Sequence, residues 1–153
     1  MPEADLQGFY RRYIAAINAR QFDVVAEMVH DDVSINGVPH RREDVLASLQ
    51  GLAGAVPDFV WTVQDLFVDG ERIAARLRDT GTPTKTFLGQ EATGASIDVM
   101  EYASYRVREG RFAEMWFLID AATAAEQLRR APADGGRPRA LAPRSLARPP
   151  APA

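Results

Sequence analysis

Apolar residues in the first third of the chain are spaced as they are on amphipathic helices. From residue 6 to residue 17 they recur at intervals of three and four, which places them on one face of an α-helix. Shorter segments at about 22–29 and 42–53 repeat this spacing, and Asn36-Gly37 between them predicts a hairpin. The apolar positions of the first helix are Leu6, Phe9, Tyr10, Tyr13, Ile14 and Ile17.

After Pro57 the pattern changes to the alternation of apolar and polar residues that is typical of β-strands. Gly70 and Gly110 each follow an acidic residue between two such segments, a dipeptide that favours tight hairpins. A last segment at 122–130 predicts a closing helix. The predicted strands are 58–68, 72–80, 96–108 and 111–120. Helices followed by a meander of antiparallel strands indicate an α+β fold, with a curved sheet folded over the helices.

The hairpin between the last two strands predicts which side chains share a face. A two-residue turn at 109–110 pairs Glu101 with Leu118 and Val99 with Asp120. Because side chains alternate along a strand, these four side chains lie on one face. Glu101 and Asp120 are then diagonal neighbours, about 7–8 Å apart or a little less. The other members of this predicted face are Val107, Tyr105, Ala103, Phe112, Glu114 and Trp116.

The opposite face of the same hairpin is predicted to be an exposed apolar stripe. Its members come from 100–104 and 115–119, and they include Met115, Phe117 and Ile119 with Met100 and Tyr102. Such a stripe would suit a homodimer interface.

Two acids in an apolar cavity would have raised pKa values, because burial and mutual repulsion both disfavour the charged form. An acid that keeps its proton near neutral pH can serve as a general acid–base catalyst. Asp120 also directly precedes the last predicted helix, where an aspartate can cap the helix, and that role would lower its pKa. A register slip of one residue would turn Glu101 to solvent. Periodicity alone therefore does not decide whether Asp120 is a catalytic acid–base residue or a helix cap.

Composition narrows the class of protein. The length of 153 residues suits one domain at 1–130, and a tail at 131–153, rich in Pro, Ala and Arg, is predicted to be disordered. With no cysteine, and with His30 and His40 outside any ligand spacing, the sequence predicts no metal site; it also contains no glycine-rich motif for a redox cofactor.

The charge and hydropathy of the chain bear on its partners and location. The net charge is −3, and four arginines lie in the tail, so the acidic globular part argues against nucleic acid as a partner. No apolar run reaches the roughly 18 residues of a membrane span, and no signal peptide is evident. We therefore expect a cytoplasmic protein without membrane contact.

Four segments of the chain resemble the SnoaL-like polyketide cyclases, within the ketosteroid-isomerase-like or nuclear-transport-factor-2-like superfamily. The segments are YIAAINARQFDVVAEMVHDDV, VPDFVWTVQDLFVDGERIAARL, GTPTKTFLGQEATG and YRVREGRFAEMWFLID. The resemblance implies a cone-shaped, strongly curved antiparallel sheet around the N-terminal helices, a deep apolar pocket, and homodimers. It also implies cofactor-free aldol closure of an aromatic polyketide ring, with Asp120 as the acid–base residue.

The chain departs from the family pattern at three positions. Family members carry Gln and His where this chain has Glu101 and Ala103, and some carry a tyrosine where this chain has Ile17. The donors that would hold a substrate carbonyl are therefore altered, which brings related reactions into consideration.

The leading hypothesis is an enzyme of polyketide or antibiotic biosynthesis that catalyses aldol-type cyclisation without a cofactor. Asp120 and Glu101 are the candidate catalytic residues. The alternatives are a cofactor-free hydroxylase of a polycyclic polyketide, a dehydratase or isomerase, or a non-catalytic binding or dimerisation module. The candidate substrate-binding residues are Trp116, Leu118, Val99, Asn36, Tyr13, Ile17, Phe59, Tyr105 and Trp61.

Overall fold

The computed structural model describes residues 2–130, so the predicted tail at 131–153 lies outside the described residues. Within this range the chain forms four helices and six strands. The helices are α1 (Glu3–Asn18), α2 (Phe22–Glu27), α3 (Arg42–Ala55) and α4 (Ala121–Arg129). The strands are β1 (Val29–Ile35), β2 (Val38–Arg41), β3 (Val60–Asp69), β4 (Arg72–Gly81), β5 (Ile97–Arg108) and β6 (Arg111–Ile119).

The strands form one open sheet in the order β2-β1-β6-β5-β4-β3. All neighbouring pairs are antiparallel except β1 and β6, which run parallel, so the sheet is mixed. Its inner, concave face packs against α1, and the opposite face is convex and exposed. The predicted α+β class, with a curved sheet over N-terminal helices, is confirmed.

Tight turns join the strands where the dipeptides predicted them. Asn36 and Gly37 have φ angles of 49° and 81°, and Glu109 and Gly110 have φ angles of 50° and 74°. Two successive positive φ angles match the right-handed twist of the flanking strands, which is why such turns close two-residue hairpins.

A β-bulge at Ala113 changes the register of the last hairpin. Val107 pairs with Phe112 as predicted, but the next partners are Arg106 and Glu114, so Ala113 is an extra residue on β6. From this point the register is displaced by one residue, and Glu101 pairs with Ile119 instead of Leu118. Because the side-chain period of a strand is two, this displacement exchanges the faces of the rest of β6.

The exchange reverses two predictions. Met115 is buried on the concave face, with Phe117 and Ile119 half-buried beside it, so these residues are not part of an exposed stripe. Trp116 and Leu118 are 45% and 74% exposed on the convex face, so they do not face the interior of the cone as predicted. Residues 115–119 are all apolar, so their pattern fits either face of the sheet and did not reveal the extra residue.

Aromatic rings fill the space between α1 and the sheet. Phe112 is the centre of this cluster: its ring centroid lies 4.8 Å from that of Tyr13 and 4.9 Å from those of Phe9 and Tyr105. Edge-to-face and tilted contacts at these distances contribute about 0.5–1.5 kcal/mol per pair beyond the burial of apolar area. The cluster fixes α1 on the concave face.

Candidate active site

Two acidic side chains lie on the concave face of the sheet, inside the cone. Asp79 on β4 pairs with Trp61 on β3 and with Val99 on β5. Glu101 lies two residues further along β5 than Val99 and pairs with Leu77. The two acids are therefore diagonal neighbours on one face of adjacent strands. Asp79 is 0% exposed and Glu101 is 6% exposed.

The carboxyl groups of this pair lack ordinary partners. Among the described residues, both carboxyl oxygens of Asp79 and Oε2 of Glu101 make no hydrogen bond of normal geometry. Buried polar groups are nearly always hydrogen-bonded, because burying one without a partner costs free energy. Unpaired acids in a fold that is otherwise well packed are therefore candidates for a functional role.

Burial makes both groups hold a proton more strongly. Desolvation is the main cause that raises the pKa of Asp79 from 3.8 to about 10, and the nearby Glu101 carboxyl raises it further. Desolvation also raises the pKa of Glu101, while the neighbouring Asp79 carboxyl and Trp61 indole act in the opposite direction. Because two adjacent buried carboxyl groups cannot both ionise easily, at least one member of the pair keeps its proton at neutral pH.

Three buried phenols lie between α1 and the inner face of the sheet that carries the acids. The hydroxyl oxygens of Tyr10 on α1 and Tyr105 on β5 lie 3.4 Å apart, and Tyr13 lies one helical turn from Tyr10. Desolvation raises the pKa of all three phenols, and the Glu101 carboxylate raises each one further. They are therefore protonated at neutral pH and can donate hydrogen bonds. The interior combines two acids and three hydroxyl donors within an apolar lining.

Polar contacts at the end of α1 hold the wall beside Asp79. The Asn18 side chain donates to the backbone oxygen of Trp61 and accepts from its backbone N–H, each at 2.9 Å. The Arg20 guanidinium donates to the backbone oxygens of Pro57 and Phe59, and it lies 5.7 Å from the centroid of the Trp61 ring. These contacts fix Trp61, whose indole adjoins Glu101.

The structure brings most of the predicted site residues together. Glu101 faces the interior as predicted, and six of the nine predicted substrate-binding residues lie in the same buried core. These six are Val99, Tyr13, Ile17, Phe59, Tyr105 and Trp61. Asn36 lies elsewhere: its side chain accepts a hydrogen bond from the backbone N–H of Phe117 at 2.9 Å, which joins the β1–β2 turn to β6.

Asp120 lies on the surface and caps α4. Its Oδ1 accepts from the backbone N–H of Thr123 at 3.0 Å, and its Oδ2 accepts from the Thr123 hydroxyl at 2.6 Å. These bonds favour the carboxylate and lower its pKa. The predicted meeting of Asp120 and Glu101 on one face is wrong, because the bulge at Ala113 turns Asp120 away. The observed contacts of Asp120 are those of a helix cap, which is the alternative role that the sequence also allowed.

Asp79 was missed by the sequence reasoning, although the sequence contains a signal for it. In β4 the inward positions are Ile73, Ala75 and Leu77, and Asp79 is the next residue at the same period of two. An acid at the end of an apolar face marks the same kind of site that was sought in β6.

Among residues 2–130, no three His, Asp or Glu side chains are grouped so that they could hold a metal ion. None of the helices in that range is long and apolar enough to cross a membrane.

Comparison with known proteins identifies the class of molecule to which this cone and its acidic interior belong. The sequence profile of the SnoaL-like polyketide cyclases matches residues 7–128, and the chain belongs to that family. Comparison with curated proteins gave no significant sequence match.

Solved structures support the same class. IdmH from Streptomyces antibioticus, a candidate polyketide cyclase, is 27% identical in sequence to this chain, and its structure matches with a TM-score of 0.73. The match covers 80% of this chain and 97% of IdmH. A SnoaL-like polyketide cyclase from Agrobacterium tumefaciens strain C58 is 26% identical with a TM-score of 0.76, also over 80% and 97%. AclR from Streptomyces galilaeus, a candidate hydroxylase, shares the fold at 20% identity and a TM-score of 0.74, over 86% of this chain and 100% of its own.

Proposed function

We propose that the protein is a small-molecule enzyme of polyketide biosynthesis that transfers protons with Glu101 inside the cone. The observation that carries this proposal is the position of Glu101: a buried carboxyl group with an unpaired oxygen, on the inner face of the sheet against which the three phenols are also buried. Family membership supports a polyketide substrate, and aldol-type ring closure is the reaction that we place first. A cytoplasmic location and catalysis without a cofactor remain part of the proposal.

The interior supplies the groups that such a ring closure needs. Removal of a proton from a carbon next to a carbonyl creates an enolate, and the enolate carbon attacks a second carbonyl of the same molecule. A base with a pKa near the working pH removes the proton most efficiently. Hydroxyl donors aimed at the developing oxyanion lower the barrier further. Glu101 is placed to act as the base, and the phenols of Tyr10, Tyr13 and Tyr105 to act as donors.

We assign the proton transfer to Glu101 and not to Asp120 because their surroundings differ. Asp120 is exposed and its two carboxylate oxygens are occupied by Thr123, which favours a permanently ionised helix cap. Glu101 is buried, and one of its oxygens is unpaired. The family resemblance had implied Asp120 as the acid–base residue, and both residues can be tested in one experiment.

The test is incubation of the purified protein with an anthraquinone-type β-keto ester, followed by mass spectrometry of the product. A cyclised product has the same mass as the substrate. We expect Glu101→Gln to lower the turnover number by about 10²–10⁴-fold, the usual contribution of a general acid–base. Asp120→Asn is the matched control and should keep turnover within a few-fold of the parent. A large loss in Asp120→Asn with normal turnover in Glu101→Gln would transfer the role to Asp120.

The same assay separates the other reactions. A product heavier than the substrate by one oxygen atom would indicate a hydroxylase, the activity suggested for AclR. Loss of water would indicate a dehydratase, and a product of equal mass without a new ring would indicate an isomerase. Saturable binding of the ester without any product would support a binding module in place of an enzyme.

We also propose that a second copy of the chain covers the convex face. Exposed apolar side chains from three strands line a groove of about 580 Å³ there, and Arg76 paired with Asp65 lies within it. The same face of the chain therefore carries a positive and a negative charge. In a two-fold symmetric dimer, each of them can lie opposite a charge of the other sign on the second copy. The apolar members are Phe67, Tyr102, Trp116 and Leu118. This stripe keeps Tyr102 from the predicted one, and Trp116 and Leu118 take the place of residues 115, 117 and 119.

Light scattering tests the dimer directly. The parent chain should have the molar mass of two copies, and Leu118→Glu should have the mass of one, because a buried charge without a partner opposes association. Val24→Glu changes an exposed valine on α2 and is the matched control. A parent protein that is monomeric at all concentrations would contradict the proposal.

A further inference from the structure

Asp79 is a buried acid that has no part in the proton transfer assigned to Glu101. It is 0% exposed, and both of its carboxyl oxygens lack a partner among the described residues. A structural aspartate in a protein interior is normally held by hydrogen bonds or by a basic residue. Apart from the neighbouring Glu101 carboxyl, Asp79 has no such support among the described residues, so its retention in the core needs another explanation.

The arginines of the same strand do not neutralise Asp79. Arg76 and Arg78 occupy the alternate positions of β4 and point to the convex face. There Arg76 donates to Asp65 at 2.7 Å, and Arg78 donates to Asp98 at 2.8 Å. Asp79 therefore faces an interior whose other acid is Glu101.

The polar groups buried on the inner side of the sheet near the acid pair come from α1, β3 and β5. Helix α1 contributes the phenols of Tyr10 and Tyr13, β5 contributes the phenol of Tyr105, and β3 contributes the indole of Trp61. All of these groups are neutral donors. The residues that α4 and the loop after β4 bury are apolar: Ala124, Leu128 and Phe87.

The two members of the pair have different surroundings. Glu101 has the Trp61 indole beside it, and one of its two oxygens, Oε2, is buried without a partner. Asp79 has both oxygens buried without a partner. A negative charge is therefore better tolerated on Glu101 than on Asp79, because a nearby N–H donor stabilises a carboxylate.

We propose that Asp79 and Glu101 form a catalytic dyad that holds one proton, with Asp79 as the proton donor to the substrate carbonyl oxygen and Glu101 as the base. This inference deepens the proposed function and rests on it. Two carboxyl groups that lie side by side away from water cannot both ionise easily, so one of them keeps its proton. The arrangement provides an acid and a base at the same pH.

The dyad closes a proton cycle during aldol addition. The Glu101 carboxylate takes a proton from the carbon next to the carbonyl, and the Asp79 carboxyl gives its proton to the carbonyl oxygen, which forms an enol. The enol carbon then bonds to the second carbonyl carbon. The oxygen of that carbonyl takes the proton from Glu101, and the enol oxygen returns its proton to Asp79. The substrate is isomerised, and both acids regain their starting states.

The activity test compares Asp79→Asn, Glu101→Gln and the double variant with the β-keto ester. Asparagine keeps the shape of Asp79 but cannot transfer a proton, so the turnover number should fall about 10²-fold or more. The parent should show a bell-shaped pH–rate profile. In Asp79→Asn the rate should no longer fall at high pH. In Glu101→Gln the rate should no longer rise as the pH increases from the acidic side. The double variant should be little worse than the worse single variant, because the two residues act as a unit.

The outcomes separate the two proposals. Loss of activity in Glu101→Gln with normal activity in Asp79→Asn would overturn the dyad and leave the proposed function in place. Normal activity in both variants would overturn both proposals.

A second readout does not depend on substrate or on turnover. Infrared difference spectra at about pH 7.5 should show the carbonyl stretch of a protonated carboxylic acid, and Asp79→Asn should abolish it. The band should persist in Asp120→Asn, the matched control on the surface. If Asp79→Asn does not fold, Asp79→Glu takes its place, and the band should shift in frequency. A parent spectrum without this band would overturn the dyad, because the proton would be missing.

Discussion

Replacement of Asp79 by asparagine should change how the stability of the protein depends on pH. The pKa of Asp79 is about 10 in the folded chain and near 3.8 in the unfolded chain. A group whose pKa is higher in the folded state stabilises that state fully below its unfolded pKa. This stabilisation is lost as the pH rises toward the folded pKa. Asparagine has nearly the same shape and does not titrate.

The size of the effect follows from the pKa values. Near pH 4 the parent and the Asn variant both carry a neutral group at position 79, so their free energies of unfolding should be similar. Between about pH 4 and pH 7 the unfolded parent releases a proton that the folded parent retains. This costs the parent about 1.4 kcal/mol per pH unit. The variant should therefore be more stable than the parent at pH 7, by at most about 4 kcal/mol.

Urea denaturation at intervals from about pH 4 to pH 8 measures this difference directly. Asp98→Asn is the matched control, because Asp98 lies one strand away and is paired with Arg78, which lowers its pKa. The sign for Asp98 is opposite: its contribution is present above its unfolded pKa and is lost as the pH falls through its folded pKa. That variant should therefore be less stable than the parent at neutral pH and should approach it in acid.

A constant difference between parent and Asp79→Asn over the whole range would refute the reasoning. It would mean that Asp79 titrates alike in the folded and unfolded states, and that it is neither desolvated nor protonated at neutral pH. The dyad would then lose its physical basis together with the raised pKa.

Three further substitutions test the framework around the site by denaturation. Phe112→Ala removes the ring that contacts Phe9, Tyr13 and Tyr105, and it should lower the free energy of unfolding by about 3–5 kcal/mol. A decrease below about 1 kcal/mol would contradict the packing described. Gly81→Ala places a Cβ 2.6 Å from a Val56 methyl group and should be destabilising, whereas Gly54→Ala, with open space around it, should not. Asn18→Ala leaves the backbone N–H and oxygen of Trp61 without their partner and should lower the free energy of unfolding by about 1–3 kcal/mol. An unchanged denaturation midpoint would show that water replaces the side-chain amide.

The sequence was sufficient for the class of fold because several local signals agreed. The helical spacing of the first third, the alternation after Pro57 and the glycine turns at 70 and 110 each predicted their elements. Long elements with a regular period leave little freedom for a different arrangement.

The candidate site was predicted only in part because it depends on register. Two acids do lie on the inner face of the sheet, but the acid next to Glu101 is Asp79 and not Asp120. A single extra residue at Ala113 produces that difference. Bulges arise from backbone geometry and twist, which apolar periodicity does not report. The same alternation could have predicted that Asp79 points inward, because it follows the inward-facing residues of β4 at a period of two.

The contact between Asn18 and Trp61 has a consequence for the solubility of the protein. Strand β3 is an edge of the open sheet, and a free edge can pair with the strand of another molecule. The Asn18 amide occupies both backbone groups of Trp61 that point away from the sheet, in the way that one residue of a neighbouring strand would. One side chain thus closes the edge at the position nearest the acids, and its loss would expose a template for aggregation.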